Sequence, residues 1–120
     1  MTPEVIAMPD NSDHNEVVLI GRVSSGPTVR ELPSGDQIVT FRLSVGRGRT
    51  AMTARSKAAV DWVDCTAWTA RLRRSVARWS VGDQVEVHGA LRRRFFAGGG
   101  GPATRLEVEV RSARIADPAA

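Results

Sequence analysis

The sequence predicts an all-β fold: five strands, with one short α-helix between the third and the fourth. Three observations carry this. Five segments have β-type patterning, some with clean alternation of apolar and polar residues. Turn-forming Gly, Pro, Ser and Asp cluster between the first two, at SSGPT and ELPSGDQ. A helical apolar stripe occurs in one short stretch, RLRRSVARWSVGD.

In chain order, residues 1–14 are polar, Pro-containing and aperiodic, which predicts a flexible N-terminal arm. EVVLIGRV (16–23) is rich in Val and Ile and predicts the first strand, ended by the turn chemistry of SSGPT. IVTFRLSV (38–45) puts Val39, Phe41, Leu43 and Val45 on a core face and Thr40, Arg42 and Ser44 on a wet one. GRGRTAMTARSKAA (46–59) has no apolar period and holds Arg47, Arg49, Arg55 and Lys57, so a long mobile loop is expected. VDWVDCTAW (60–68) predicts the third strand. Over residues 71–83, Leu72, Val76 and Trp79 recur at i, i+4 and i+7, one face of a helix that stops near Gly82. DQVEVHGAL (83–91) predicts the fourth strand, with Val85, Val87, Gly89 and Leu91 inward. TRLEVEVRSARI (104–115) predicts the fifth, with Leu106, Val108 and Val110 on its core face. Together these describe a five-stranded Greek-key barrel, the OB-fold, over residues 15–116, with an extended hairpin arm and a short tail at 117–120.

Composition narrows the function. Lys+Arg exceeds Asp+Glu by 17 to 13, and Lys57 is the lone lysine, a balance that leans towards a polyanionic partner without proving one. Cys65 is the single cysteine, so neither an intrachain disulfide nor a cysteine metal cluster is expected. His14 and His88 lack ligand spacing, and no metal or other cofactor is expected. No secretory signal or membrane-length apolar run is present, which predicts a soluble, cytoplasmic protein with no membrane partner. An enzyme is not expected. Parity puts Cys65 inside the barrel and Asp64 outside, so Cys65, His88 and Asp64 do not converge, and Glu107 and Glu109 read as solvated surface.

The third strand is the informative one. Its inward set is Val63, Cys65 and Ala67, leaving Trp62, Asp64, Thr66 and Trp68 outside. Folding gives no reason to expose two tryptophans. A stacking platform for unpaired bases explains them, because every base has a π-face; a subunit interface, or a different register that buries them, is the alternative. Trp79 belongs to the helical stripe and Phe41 to the core. In LRRRFFAGGGG (91–101), the outward set is Arg92, Arg94 and Phe96, charge for phosphate followed by a ring for a base. The glycines are not followed by Lys-Ser/Thr or by a helix, so they predict a flexible hairpin tip rather than a phosphate loop. Arg93 and Phe95 fall on the other face with no role assigned.

The ordered series NEVVLIGRV, PTVREL, SGDQIVTFRLSV, DWVDCTAW, VGDQVEVHGALRRRF and RLEVEVRSARI, from about Asn15 to Ile115, closely resembles the bacterial single-stranded DNA-binding protein family. That resemblance implies an OB-fold in a homo-oligomer, usually a tetramer. It also implies sequence-independent binding of single-stranded DNA in replication, recombination or repair, with no catalytic residues. Trp62 and Trp68 fall where the family has stacking aromatics, and Phe96 falls where it has the aromatic after the basic run. Arg22, Arg42, Arg92 and Arg94 fall at backbone-contacting places. Three departures stand out. Arg47 to Arg49 replace a tryptophan common after the second strand, exchanging stacking for charge or cation–π contact. Asp64 stands where a basic residue is common. The chain stops at RIADPAA where the usual members continue into a long acidic-tipped tail, so a paralogue without tail-mediated protein recruitment is expected. A dimeric, primosome-type interaction module on the same fold is the second reading, and RNA stays open as a ligand.

Overall fold

The computed structural model describes residues 13–98 and 101–119, without the side chains at 96–98, 101 and 102. Most of the expected N-terminal arm and the centre of the glycine tip lie outside the described residues. Five strands, β1 (Val17–Glu31), β2 (Gln37–Gly46), β3 (Val60–Ala67), β4 (Gln84–Gly98) and β5 (Gly101–Asp117), close a barrel in the order β1-β2-β3-β5-β4. Helix α1 (Ala70–Val76) lies between β3 and β4. Neighbouring strands are antiparallel except β3 and β5, which run parallel and meet at Cys65–Val108 and Thr66–Glu109. This is the OB-fold topology that the alternation predicts.

The core follows from strand parity. Val23, Phe41, Leu43, Cys65, Val85, Val87, Val108 and Val110 are buried inside the barrel. Val76 and Trp79 join the same core from α1 and its exit, and Trp79 meets Phe41 edge-on with ring centroids 5.2 Å apart. Thr69 caps α1, its hydroxyl accepting from the Leu72 N–H. The helix is shorter than the stripe over 71–83 suggests. After Val76 the chain turns, Asp83 accepts the Ser80 N–H at 2.8 Å, and Gly82 takes a positive φ of 97°.

Other expectations are corrected. SSGPT is part of β1 rather than a turn, because bulges between Val23 and Thr28, with Gly26 at φ 81°, bend the strand from β4 onto β2 without ending it. Leu91 and Leu106 are 44% and 51% exposed rather than inward. A bulge at His88–Gly89 brings β5 so close that a Cβ at Gly89 would run into the Glu109 carbonyl. Beyond it the β4–β5 hairpin leaves the barrel, so Leu91 and Leu106 have no core to cover them. Ala90 and Thr66, both placed outward by parity, are fully buried. Residues 47–59 form a loop with hydrogen bonds of its own, from Arg47 N–H to the Ala59 carbonyl and among Gly48, Thr50 and Thr53.

Candidate nucleic-acid interface

Strand register arranges the outer face into rows. Arg22 on β1, Ser44 on β2 and Trp62 on β3 are successive cross-strand partners. In the next row Arg42 pairs with Asp64, and beyond it Thr40 faces Thr66, which faces Glu109 on β5. Arg92 and Arg94 continue the face on β4, opposite Glu107 and Arg105. A surface rich in arginine thus crosses four strands.

Trp62 is 69% exposed. Its one described ring contact is the Arg42 guanidinium, 5.7 Å from the ring centroid. Trp68 lies just past the end of β3, about six residues or roughly 20 Å along the chain from Trp62. It is half-buried and lines a cleft of about 260 Å³ with Arg92, Arg93, Arg94, Glu107 and Glu109. The two tryptophans therefore stand at opposite ends of the face rather than on one cluster. The Phe96 side chain is outside the described residues, although its backbone pairs with Ala103 in the projecting arm.

The arginines are more engaged than the sequence suggests. Arg42 donates to Asp64 at 3.0 Å and Arg92 to Glu109 at 3.0 Å, both partly exposed. Arg94 donates to Glu107 at 2.7 Å. Glu107 is 4% exposed, which overturns its reading as solvated surface; a buried carboxylate needs such a partner. Arg47 turns back to hold its loop, 3.4 Å from Asp61 and 3.2 Å from the Ser56 hydroxyl. Arg22 donates to the Gly82 carbonyl at 2.9 Å. Arg49 is exposed on the loop.

Two further arginines belong here. Arg105 lines a polar cleft of about 240 Å³ with Arg30, Arg42, Asp64, Glu107 and others. Its parity with Glu107 and Glu109 was the signal that could have found it. Arg93 lines the Trp68 cleft and donates to the Thr104 hydroxyl at 3.1 Å. Phe95 is 74% exposed on the arm.

The Cys65 thiol is not set up as a nucleophile. Burial, then the Asp64 and Glu107 carboxylates, push the Cys65 thiol up to about 12, so it stays protonated near neutral pH. His88 instead sits 2.9 Å from Glu86, and the hydrogen bond from His88 is the main reason that carboxyl lies below its ordinary value. Among the described residues, no three His, Cys, Asp or Glu side chains gather as a metal site, and no helix is long and apolar enough to cross a membrane.

Comparison with known sequences identifies the family. The model of the single-strand binding protein family matches residues 14–116. The chain belongs to that family. Single-stranded DNA-binding protein A of Bacillus subtilis (strain 168) is 29% identical over 105 residues, covering 87% of this chain and 60% of the relative. Single-stranded DNA-binding protein 2 of Listeria innocua is 28% identical over 105 residues, 87% of this chain and 65% of the relative. Single-stranded DNA-binding protein 1 of Staphylococcus aureus (strain COL) is 32% identical over 82 residues, 68% of this chain and 48% of the relative. This family member spans about half to two thirds of the length of these relatives.

Proposed function

We propose that the chain binds single-stranded DNA without sequence preference and without catalysis, keeping it unpaired and protected in replication, recombination or repair. The observation that carries this is Trp62, held open to solvent in a row with Arg22 and beside Arg42. An exposed indole flanked by guanidinium groups offers a base a stacking surface and its phosphate a charge. Trp68, with Arg92 and Arg93 around its cleft, supplies a second such place, and Phe96 a third on the arm. Arg49 extends the basic surface onto the loop, whereas Arg47 is taken up by Asp61 and Ser56. The relatives' names and the family support the same ligand.

Self-association accompanies this reading, as a tetramer or a dimer. Val18 and Ile20 are half-exposed on the outer face of β1, beside His88 and Glu86, an apolar patch that an isolated barrel leaves wet. The same patch is the observation favouring the second reading, a module that works mainly through protein contacts.

Anisotropy of a labelled dT oligonucleotide tests the first reading. The wild-type chain is expected to bind it, to bind dC and dA oligonucleotides comparably, and to ignore a duplex competitor. Duplex competing as well as single strand, or no binding at all, would defeat it. Mass measurement in solution without DNA separates dimer from tetramer.

A further inference from the structure

The arginines of the proposed face are not waiting empty-handed. Arg42 and Arg92 each hold a carboxylate at 3.0 Å, from Asp64 and Glu109. Asp64 is the direct cross-strand partner of Arg42, and Glu109 lies one step diagonally from Arg92. Both pairs are open to solvent on at least one side, and both sit beside a tryptophan: Arg42 against Trp62, Arg92 and Glu109 in the Trp68 cleft. Resting on the single-strand-binding reading above, we propose that Asp64 and Glu109 set how weakly this face holds an anion that brings charge alone. They act as built-in stand-ins for strand phosphate.

The chemistry follows from the pairing. A carboxylate fixes each guanidinium over the sheet beside its tryptophan, so the cation is already placed when a strand arrives. A phosphate that takes the guanidinium must displace the carboxylate, so ligand binding is an exchange of one anion for another rather than the filling of a vacant cation. The displaced carboxylate stays nearby and repels the incoming charge, which offsets much of the phosphate's electrostatic gain. An anion that brings charge alone therefore gains little, whereas one that also stacks a base on Trp62 or Trp68 gains the stacking energy as well. The carboxylates thereby hold down what charge alone can bind, so that appreciable occupancy of the face needs stacked bases as well. The third pair differs. Arg94 and Glu107 share two nitrogen–oxygen contacts, at 2.7 and 3.5 Å, with Glu107 buried, so this pair ties β4 to β5 and is not open to the same exchange.

The test uses the full chain, anisotropy of a labelled dT oligonucleotide across a KCl series, and inorganic polyphosphate as a base-free competitor. Asp64→Asn and Glu109→Gln keep size and hydrogen-bonding capacity at partly exposed positions. Each is expected to raise dT affinity about two- to fivefold at low salt. Each should also steepen the log–log salt slope by up to about 0.7, the value for one single-strand phosphate contact. In the double variant, the inhibition constant of polyphosphate, corrected for the tighter dT binding, should fall as the dT dissociation constant does. Asp36→Asn removes the same charge at the exposed β1–β2 turn and is expected to change neither slope nor polyphosphate binding. Unchanged slope and polyphosphate binding in the double variant would overturn the inference, and so would an equal effect from Asp36→Asn. A wild-type chain that does not bind dT would instead defeat the single-strand-binding reading itself.

Discussion

Trp62 and Trp79 are the same side chain in opposite surroundings. Trp79 is 6% exposed at the end of the barrel, edge-on to Phe41 and near Val76, with Asp83 organising the turn that follows it. Trp62 is 69% exposed on the barrel wall, beside a guanidinium. Removing either leaves a different hole. One is a cavity inside close-packed matter; the other is a missing surface that water can fill. An indole that folding does not need is an indole available to a ligand, and this difference is why the proposed working surface is the wall, not the barrel end.

Substitutions can break or sharpen that contrast. Trp79→Ala is expected to lower unfolding free energy by about 3–5 kcal/mol, read by urea denaturation, because it empties a packed site. A loss below that of an ordinary surface change would mean the barrel end is not the core it looks like. Trp62→Ala should leave urea stability within about 0.5 kcal/mol. The same change should weaken dT binding by about 1–3 kcal/mol. Trp62 mattering equally to both would erase the contrast. Thr69→Ala removes the α1 cap that leads towards Trp79 and should lower stability by about 1 kcal/mol, with dT affinity unchanged. The smallest effect belongs to Asp83. Backbone N–H groups of Ser80 and then Ala119 hold its carboxyl below the ordinary value. Because the folded value is the lower one, its contribution is present at neutral pH and is lost as pH falls through the acid range. The stability gap between wild type and Asp83→Asn should accordingly narrow on acidification; a gap that widens would contradict the assignment.

The contrast between the two tryptophans is legible in the sequence. Trp62 alternates with Val63 and Cys65 in a strand of period two, and Trp79 completes a helical stripe with Leu72 and Val76, so simple periodicity separates wall from core. Periodicity fails where a strand changes partners. Ser24 to Pro27 carry turn chemistry, yet two bulges let β1 continue through them. Leu91 keeps its phase, but the barrel ends beneath it. The site shows the same limit. The arginines were visible as charge, whereas their carboxylates lie 22 positions away for Arg42–Asp64, 17 for Arg92–Glu109 and 13 for Arg94–Glu107. No local pattern announces such pairs. Glu107 reads as surface because nothing near it in the chain explains its burial; the reason is Arg94 on the neighbouring strand.

Intrinsic tryptophan emission during titration with poly-dT probes the central claim most directly, compared between wild type and Trp62→Phe. Stacking at Trp62 predicts strong quenching in wild type and a clearly smaller change in the variant, with Trp79 contributing little in either. Wild-type emission that poly-dT leaves unquenched would contradict the account, as would quenching that survives undiminished in Trp62→Phe.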